Sequence, residues 1–264
     1  MIQGVQVRHL KVGTLKLEVH PSGTAAGMAA ARAVAGFLQR SRPQDASMGV
    51  IFATGTSQLF MLQSLTSIPG FPWDRVCGFH LDEYVGLPAD HPASFRRYLR
   101  EHLTQLVPIR EFHEIDGTAA DLDWVCKEYT AKLHSCAPQL CLLGIGENGH
   151  LAFNDPDEAD FEDPQAMRTV QLDKICRQQQ LAEGWFQGLE EVPKHALTLT
   201  IPTIMQVPKL VVSVPGKRKA QIVRKMLEGP ITTNCPASVL RTHPDATVYL
   251  DQESAAGLEG LPTQ

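Results

Sequence analysis

The chain has 264 residues, 43% of them hydrophobic and 20% charged, with a formal net charge of −5 and a pI near 6.0. This is the balance of an ordinary soluble globular protein with enough apolar material for a sizeable core, and it lacks the basic excess of a nucleic-acid-binding surface. No run of about 18 apolar residues is present, which excludes a helical membrane span, whereas an anionic small-molecule substrate needs only a few local cations.

From the N-terminus, MIQGVQVRHLKVG has no apolar leader pattern. Residues 14–20, TLKLEVH, alternate apolar and polar, which predicts a half-buried first strand. PSGT is a turn, and the Ala-, Leu- and Arg-rich stretch from Ala25 to about Arg42 predicts a helix. SMGVIFATGTSQ reads as a strand, a Gly-containing turn and a helix start near Ser57. From Arg75, RVCGFHLDEYVGL predicts a third strand ending in Asp82 and Glu83. After the loop LPADHP, SFRRYLREHL is an amphipathic helix with Ser94 as its cap. Residues 106–117 hold a short extended piece, and residues 119–135 have helical periodicity.

The apolar run Leu140 to Ile145 has the composition of a strand buried on both faces, and it breaks into Gly144, Gly146 and Gly149, with His150, Asn154 and Asp155 directly after. Residues 155–195 form a long, irregular, acidic excursion with one strand (RTVQLD) and one helix (ICRQQQLAEGWF), the kind of segment that builds a lid or a wall. Then follow a turn or short helix, the strand KLVVSV, a helix KRKAQIVRKMLEG stopped by Gly229, a short helix CPASVLRTH, the strand ATVYLD and a final short helix from Gln252. Strands alternate with helices throughout, without a linker or repeat. The expectation is one α/β domain over residues 1–264, Rossmann-like, with a mainly parallel central sheet and helices on both faces.

Parallel strands bring their carboxyl ends to one edge, so ATGTSQ, LDEYVG and GENGH should converge there. Thr54, Gly55, Thr56 and Ser57 offer hydroxyls and N–H groups before a helix, which suits an anion, although a plain Ser cap explains them too. Asp82 and Glu83 are adjacent on a strand, so only one of them should face the site, as a general base or as a solvated acid. His150 suits proton transfer near neutral pH, with Asp155 orienting it. No metal-ligand spacing accompanies the histidine, so no metal is expected in the site. Lys217, Arg218 and Lys219 are most economically a solvated basic run, with only some of them facing inward. None of the six cysteines forms a C-x-x-C pair, and reduced thiols in a cytoplasmic protein are expected.

Taken together, GFHLDEYVGLPADHPASF, LGIGENGHLAFNDP and VPKHALTLTIPTIM…VVSVPGKRKAQ resemble the glucosamine-6-phosphate deaminases, which share a superfamily with the 6-phosphogluconolactonases. The resemblance runs from about Thr14 to the end. LDEYVG and GHLAFN look like the deaminase branch rather than the lactonase one. It implies a modified Rossmann-like fold and a cofactor-free conversion of glucosamine 6-phosphate and water to fructose 6-phosphate and ammonia. By that resemblance His150 opens the sugar ring, Asp82 moves a proton between C2 and C1, and Asn148 and Asp155 support the histidine. Thr54 to Ser57 match the phosphate loop and Lys219 a phosphate-binding lysine, with Arg177 as the arginine of the excursion. The chain departs from the family pattern at Asp155, where Glu is common, at TGTSQ, where TGGTP is common, and in DKICRQQQLAEGWF. The alternatives are a lactonase, a related hexose-phosphate isomerase or a non-catalytic sugar-phosphate sensor. The last is disfavoured because the chain has no spare N-terminal stretch for a helix-turn-helix. The family includes regulated hexamers and monomers, so a homo-oligomer stays open.

Overall fold

A computed structural model describes residues 7–41, 47–182 and 184–258. Its strands in chain order are β1 (Arg8–Val12), β2 (Leu15–His20), β3 (Met48–Phe52), β4 (Val76–His80), β5 (Asp82–Tyr84), β6 (Glu111–His113), β7 (Leu140–Leu143), β8 (Met167–Gln171), β9 (His195–Leu199), β10 (Lys209–Val214) and β11 (Ala246–Asp251). The helices are α1 (Gly23–Ser41), α2 (Leu59–Thr66), α3 (Phe95–Leu99), α4 (Leu122–Cys136), α5 (Lys174–Ala182), α6 (Ile201–Met205) and α7 (Ala220–Glu228).

An eight-stranded sheet runs in the order β1-β2-β11-β10-β7-β3-β4-β6. Its pairings are parallel except for the β1–β2 hairpin at one edge. The centre follows from residue pattern. β3, β4 and β7 (MGVIF, VCGFH, LCLL) are buried at every position, whereas β2 alternates buried with more exposed residues because one face lies near solvent. Successive residues of one strand serve opposite faces. Val50, Leu140 and Leu142 pack with α1 and α2, while Ile51, Cys141 and Leu143 pack with α4, α6 and α7. The expected layering, helices on both faces of a mainly parallel sheet, is therefore observed.

The third expected strand, running from Arg75 through LDEYVG, is two strands. The break is Leu81. Its N–H donates to the carbonyl of Phe52 on β3 (3.3 Å), while its own carbonyl accepts from Leu199, the last residue of β9 (2.8 Å). The chain thus changes partners at that residue. β5 then leaves the large sheet for a three-stranded antiparallel one in the order β5-β9-β8. This second sheet and α5 account for the irregular excursion. β1 and β9 were not anticipated, because RHLKV and HALTL are short and sit beside stronger signals. Ser94 stands at the N-cap of α3, but its hydroxyl donates to Glu83 (2.8 Å) instead of capping. The Glu83 carboxylate does the capping, accepting the N–H groups of Phe95 (3.2 Å) and Arg96 (2.9 Å).

The expected final helix is a series of turns over residues 252–257, and its remainder beyond 258 lies outside the described residues, as does Arg42 at the expected end of α1. No helix among the described residues is long and apolar enough to cross a membrane. None of the six cysteines forms a disulfide.

Candidate active site

β10, β7 and β3 are neighbours in the sheet, so the loops that follow them meet at one edge. Together with Leu81 and Asp82 they line one cleft.

Two of these loops are built alike. Gly55 (φ 92°) and Gly216 (φ 95°) hold a backbone conformation that a side chain resists, and each leads into a single tight turn, Thr56–Gln58 and Lys217–Lys219, before α2 and α7. Neighbours fix both loops. Tyr98 donates its hydroxyl to the Gly55 carbonyl (2.8 Å), Ser213 to the Ser57 carbonyl (2.9 Å), and the Gly216 N–H donates to the Asp251 carboxylate (3.0 Å). Thr54, Gly55, Thr56 and Ser57 line the cleft on one side, and Arg218 and Lys219 line it on another. Hydroxyls, turn N–H groups and two cations in one cleft suit an anion such as a phosphate. The solvated reading of the basic run holds for Lys217 and Arg218, both exposed, although Arg218 also borders the cleft, and Lys219 is the half-buried one. Arg218 also lies 3.4 Å from Glu147.

Arg177 requires a correction. Its Nε donates to the Val192 carbonyl (3.1 Å) and a terminal nitrogen to the Leu189 carbonyl, so its guanidinium ties down the loop after α5 and is absent from the cleft lining. The α5 residues that line the cleft are Gln179 and Gln180, which the sequence reading missed. Gln179 accepts the Glu147 N–H (3.1 Å), and Gln180 accepts the Tyr84 hydroxyl (2.6 Å). Nothing in the local pattern of RQQQ marks them, since polar residues on one face of a helix usually face water.

Asp82 and Glu83 face opposite ways, as alternation on a strand requires. Asp82 lines the cleft. Burial, and then the neighbouring Glu83 carboxylate, push its carboxyl well above the usual range. Glu83 is fully buried on the other side. Burial raises its carboxyl as well, but bonds from Arg96, Ser94, Phe95 and Tyr84 offset part of the rise. Beneath them, burial pushes His80 down to about 3. It is therefore neutral, and its Nε2 accepts the Ile115 N–H (2.7 Å).

In the loop after β7, His150 Nδ1 lies 3.0 Å from Asp155 Oδ1. Asn148 connects the two residues, accepting the His150 N–H (3.0 Å) and donating to the same Asp155 oxygen (2.8 Å). Burial raises the Asp155 carboxyl, but contacts from His150, Asn148 and Cys176 outweigh it and hold the group below the usual range. Asp155 therefore stays an anion that fixes the imidazole. Cys176 of α5, fully buried, completes this cluster, and its burial pushes the thiol up. His150, Asp155 and Cys176 present ligand atoms within 4.8 Å of one another, so the donor set alone admits a metal ion. The ring's paired, oriented state also serves acid–base work without one.

The family model for glucosamine-6-phosphate isomerases and 6-phosphogluconolactonases matches residues 21–249. The chain is 37% identical over 238 residues to the glucosamine-6-phosphate deaminase of Pseudarthrobacter chlorophenolicus, covering 88% of both chains. It is 36% identical over 219 residues to that of Exiguobacterium sibiricum, covering 81% of this chain and 82% of the other. Among solved structures, a monomeric glucosamine-6-phosphate deaminase superposes with a TM-score of 0.83 at 31% identity, covering 91% of this chain and 98% of that one. The 6-phosphogluconolactonase of Trypanosoma brucei superposes with a TM-score of 0.75 at 20% identity, covering 92% and 98%, which is a likeness of fold.

Proposed function

Because the chain belongs to the family of glucosamine-6-phosphate isomerases and 6-phosphogluconolactonases, we propose that its cleft converts glucosamine 6-phosphate and water to fructose 6-phosphate and ammonia. The observation that carries this reading is the pairing, in one cleft, of a basic carboxylate with an anchored imidazole. Asp82, raised by burial, is a stronger base than an exposed carboxylate, and His150 is held by Asp155 and Asn148. The twin Gly loops with Lys219 and Arg218 hold the phosphate and fix the sugar's far end.

His150 moves a proton between the ring oxygen and the anomeric hydroxyl, opening the pyranose. The C1 carbonyl of the open chain acidifies the C2 proton, which Asp82 removes. Returning that proton to C1, while one proton passes from the nitrogen to the C1 oxygen, leaves a hydroxyl at C1 and an imine at C2. Water adds there and ammonia leaves, so atoms and charge balance without a redox partner. The reaction takes place in the cytoplasm, where six unlinked cysteines are at home, and it needs neither nucleic acid nor membrane. Sedimentation of the purified chain reads whether it works as a monomer or a homo-oligomer.

The deciding assay compares ammonia release from glucosamine 6-phosphate and galactosamine 6-phosphate with hydrolysis of 6-phosphogluconolactone. Turnover of the lactone alone sinks the proposal, and binding without turnover of any of the three makes the chain a sensor. For the phosphate anchor, Lys219→Ala is expected to raise KM about tenfold or more while changing kcat less, the mark of lost uniform binding. An unchanged KM would hand the phosphate to Arg218.

A further inference from the structure

We propose that Cys77, Cys136, Glu111 and His113 form a binding site for a thiophilic divalent cation of the zinc type, on the edge of the large sheet opposite the cleft. Cys77 is the second residue of β4, and Cys136 is the last of α4, which returns the chain toward the start of β7. Both therefore lie at the amino ends of parallel strands, whereas the cleft lies at the carboxyl ends.

The site follows from one row across the sheet. Gly49 of β3 pairs with Cys77 of β4, and Cys77 pairs with Glu111 of β6, so these three positions share a face. His113, two residues beyond Glu111, shares it as well. The missing side chain at Gly49 makes the room. A Cβ there would stand 2.9 Å from the Cys136 sulfur, so the thiol rests on the glycine, beside Cys77. One ligand atom each from Cys77, Glu111 and His113 falls within 4.8 Å of the other two, and His113 Nε2 is 3.3 Å from Glu111 Oε1. Tetrahedral zinc, with bonds of about 2.0–2.3 Å, separates its ligands by roughly 3.3–3.8 Å. Those three atoms are thus near the spacing a tetrahedral cation requires, and the Cys136 thiol, in contact with Cys77, stands beside them as the fourth ligand.

Ligand chemistry names the class of ion. Two sulfurs with an imidazole select a soft or borderline cation over magnesium or calcium. Thiols bind such a cation as thiolates, so binding must expel thiol protons and should strengthen as pH rises. Glu111 is more than half exposed on the edge strand and provides the way in.

Cobalt(II) added to the reduced, chelator-stripped chain tests this. The expected result is stoichiometric binding with a thiolate-to-cobalt charge-transfer band, displaced by zinc. Cys136→Ser and Glu111→Gln, both away from the deepest core, should weaken binding, the former by ~100-fold or more. Cys126→Ser, almost three turns earlier in α4, should not. Deamination should persist in the stripped chain. Absence of the band, or a band that survives both Cys77→Ser and Cys136→Ser, overturns the proposal. So does loss of the band in Cys176→Ser, which would place the ion at His150 and Asp155, and so does loss of deamination on stripping.

Discussion

Asp82→Asn is expected to lose C2 hydrogen exchange and ammonia release together, by ~10² or more, and to gain stability at neutral pH. The two effects share one cause. Asp82 faces the cleft from a buried strand, and burial, then Glu83, hold its carboxyl well above the usual range. Elevation makes the carboxylate a better base once ionised. It also makes ionisation costly to the fold. The folded chain holds the Asp82 proton more tightly than the unfolded chain does. Asp82's contribution to stability is therefore full below the unfolded value, near 3.9, and is lost as pH rises through the raised folded value. Asparagine has no proton to lose, so the variant should match the parent's stability in acid and exceed it at neutral pH. Activity of the parent should rise with pH along an acid limb displaced upward from an ordinary aspartate. The measurements are C2 exchange in deuterated water, ammonia release, and thermal midpoints at several pH values. Exchange at the parental rate in Asp82→Asn would refute the assignment. Glu83 would be a poor successor, because its carboxylate is turned away to cap α3.

What could be read from the chain was whatever depends on neighbours in sequence. LCLL, MGVIF and VCGFH announce buried strands by composition, and their parallel pairing follows from the helices between them. Adjacency alone also separates Asp82 from Glu83. What could not be read depends on partners far along the chain. Leu81 switches from Phe52 to Leu199, more than a hundred residues away, and nothing in LDEY encodes that change. Glu83 looks like a solvated acid until Arg96 and Ser94 fold back onto it. Arg177 is a reasonable phosphate ligand by type, but two carbonyls of the loop after α5 claim it, while Arg218, part of an exposed run, also borders the cleft. Long basic side chains are poorly placed by sequence, because a single rotamer decides between cleft and scaffold.

Gly146→Ala is the second large effect, and it isolates the geometry of His150 from the chemistry of its ring. Gly146 has no left-handed backbone angle, so alanine is not barred there by conformation. The obstacle is the imidazole itself. A Cβ at position 146 would stand 2.2, 2.3 and 2.4 Å from three atoms of the His150 ring. The ring must retreat by about 1 Å to reach ordinary contact, and a displacement of that size can cost ~10² in rate. It cannot retreat and still keep its 3.0 Å contact with Asp155, which Asn148 holds in place. Ammonia release from the cyclic sugar should therefore fall ~100-fold in Gly146→Ala, whereas C2 exchange on an open-chain analogue, which needs Asp82 and no ring opening, should fall much less. His150→Ala should show the same split. The cycle between them is the decisive measurement. With the imidazole gone the three atoms nearest the added methyl are gone too, so Gly146→Ala should lose most of its effect in the His150→Ala background. An equal loss in both backgrounds would mean that the glycine serves the loop and not the ring.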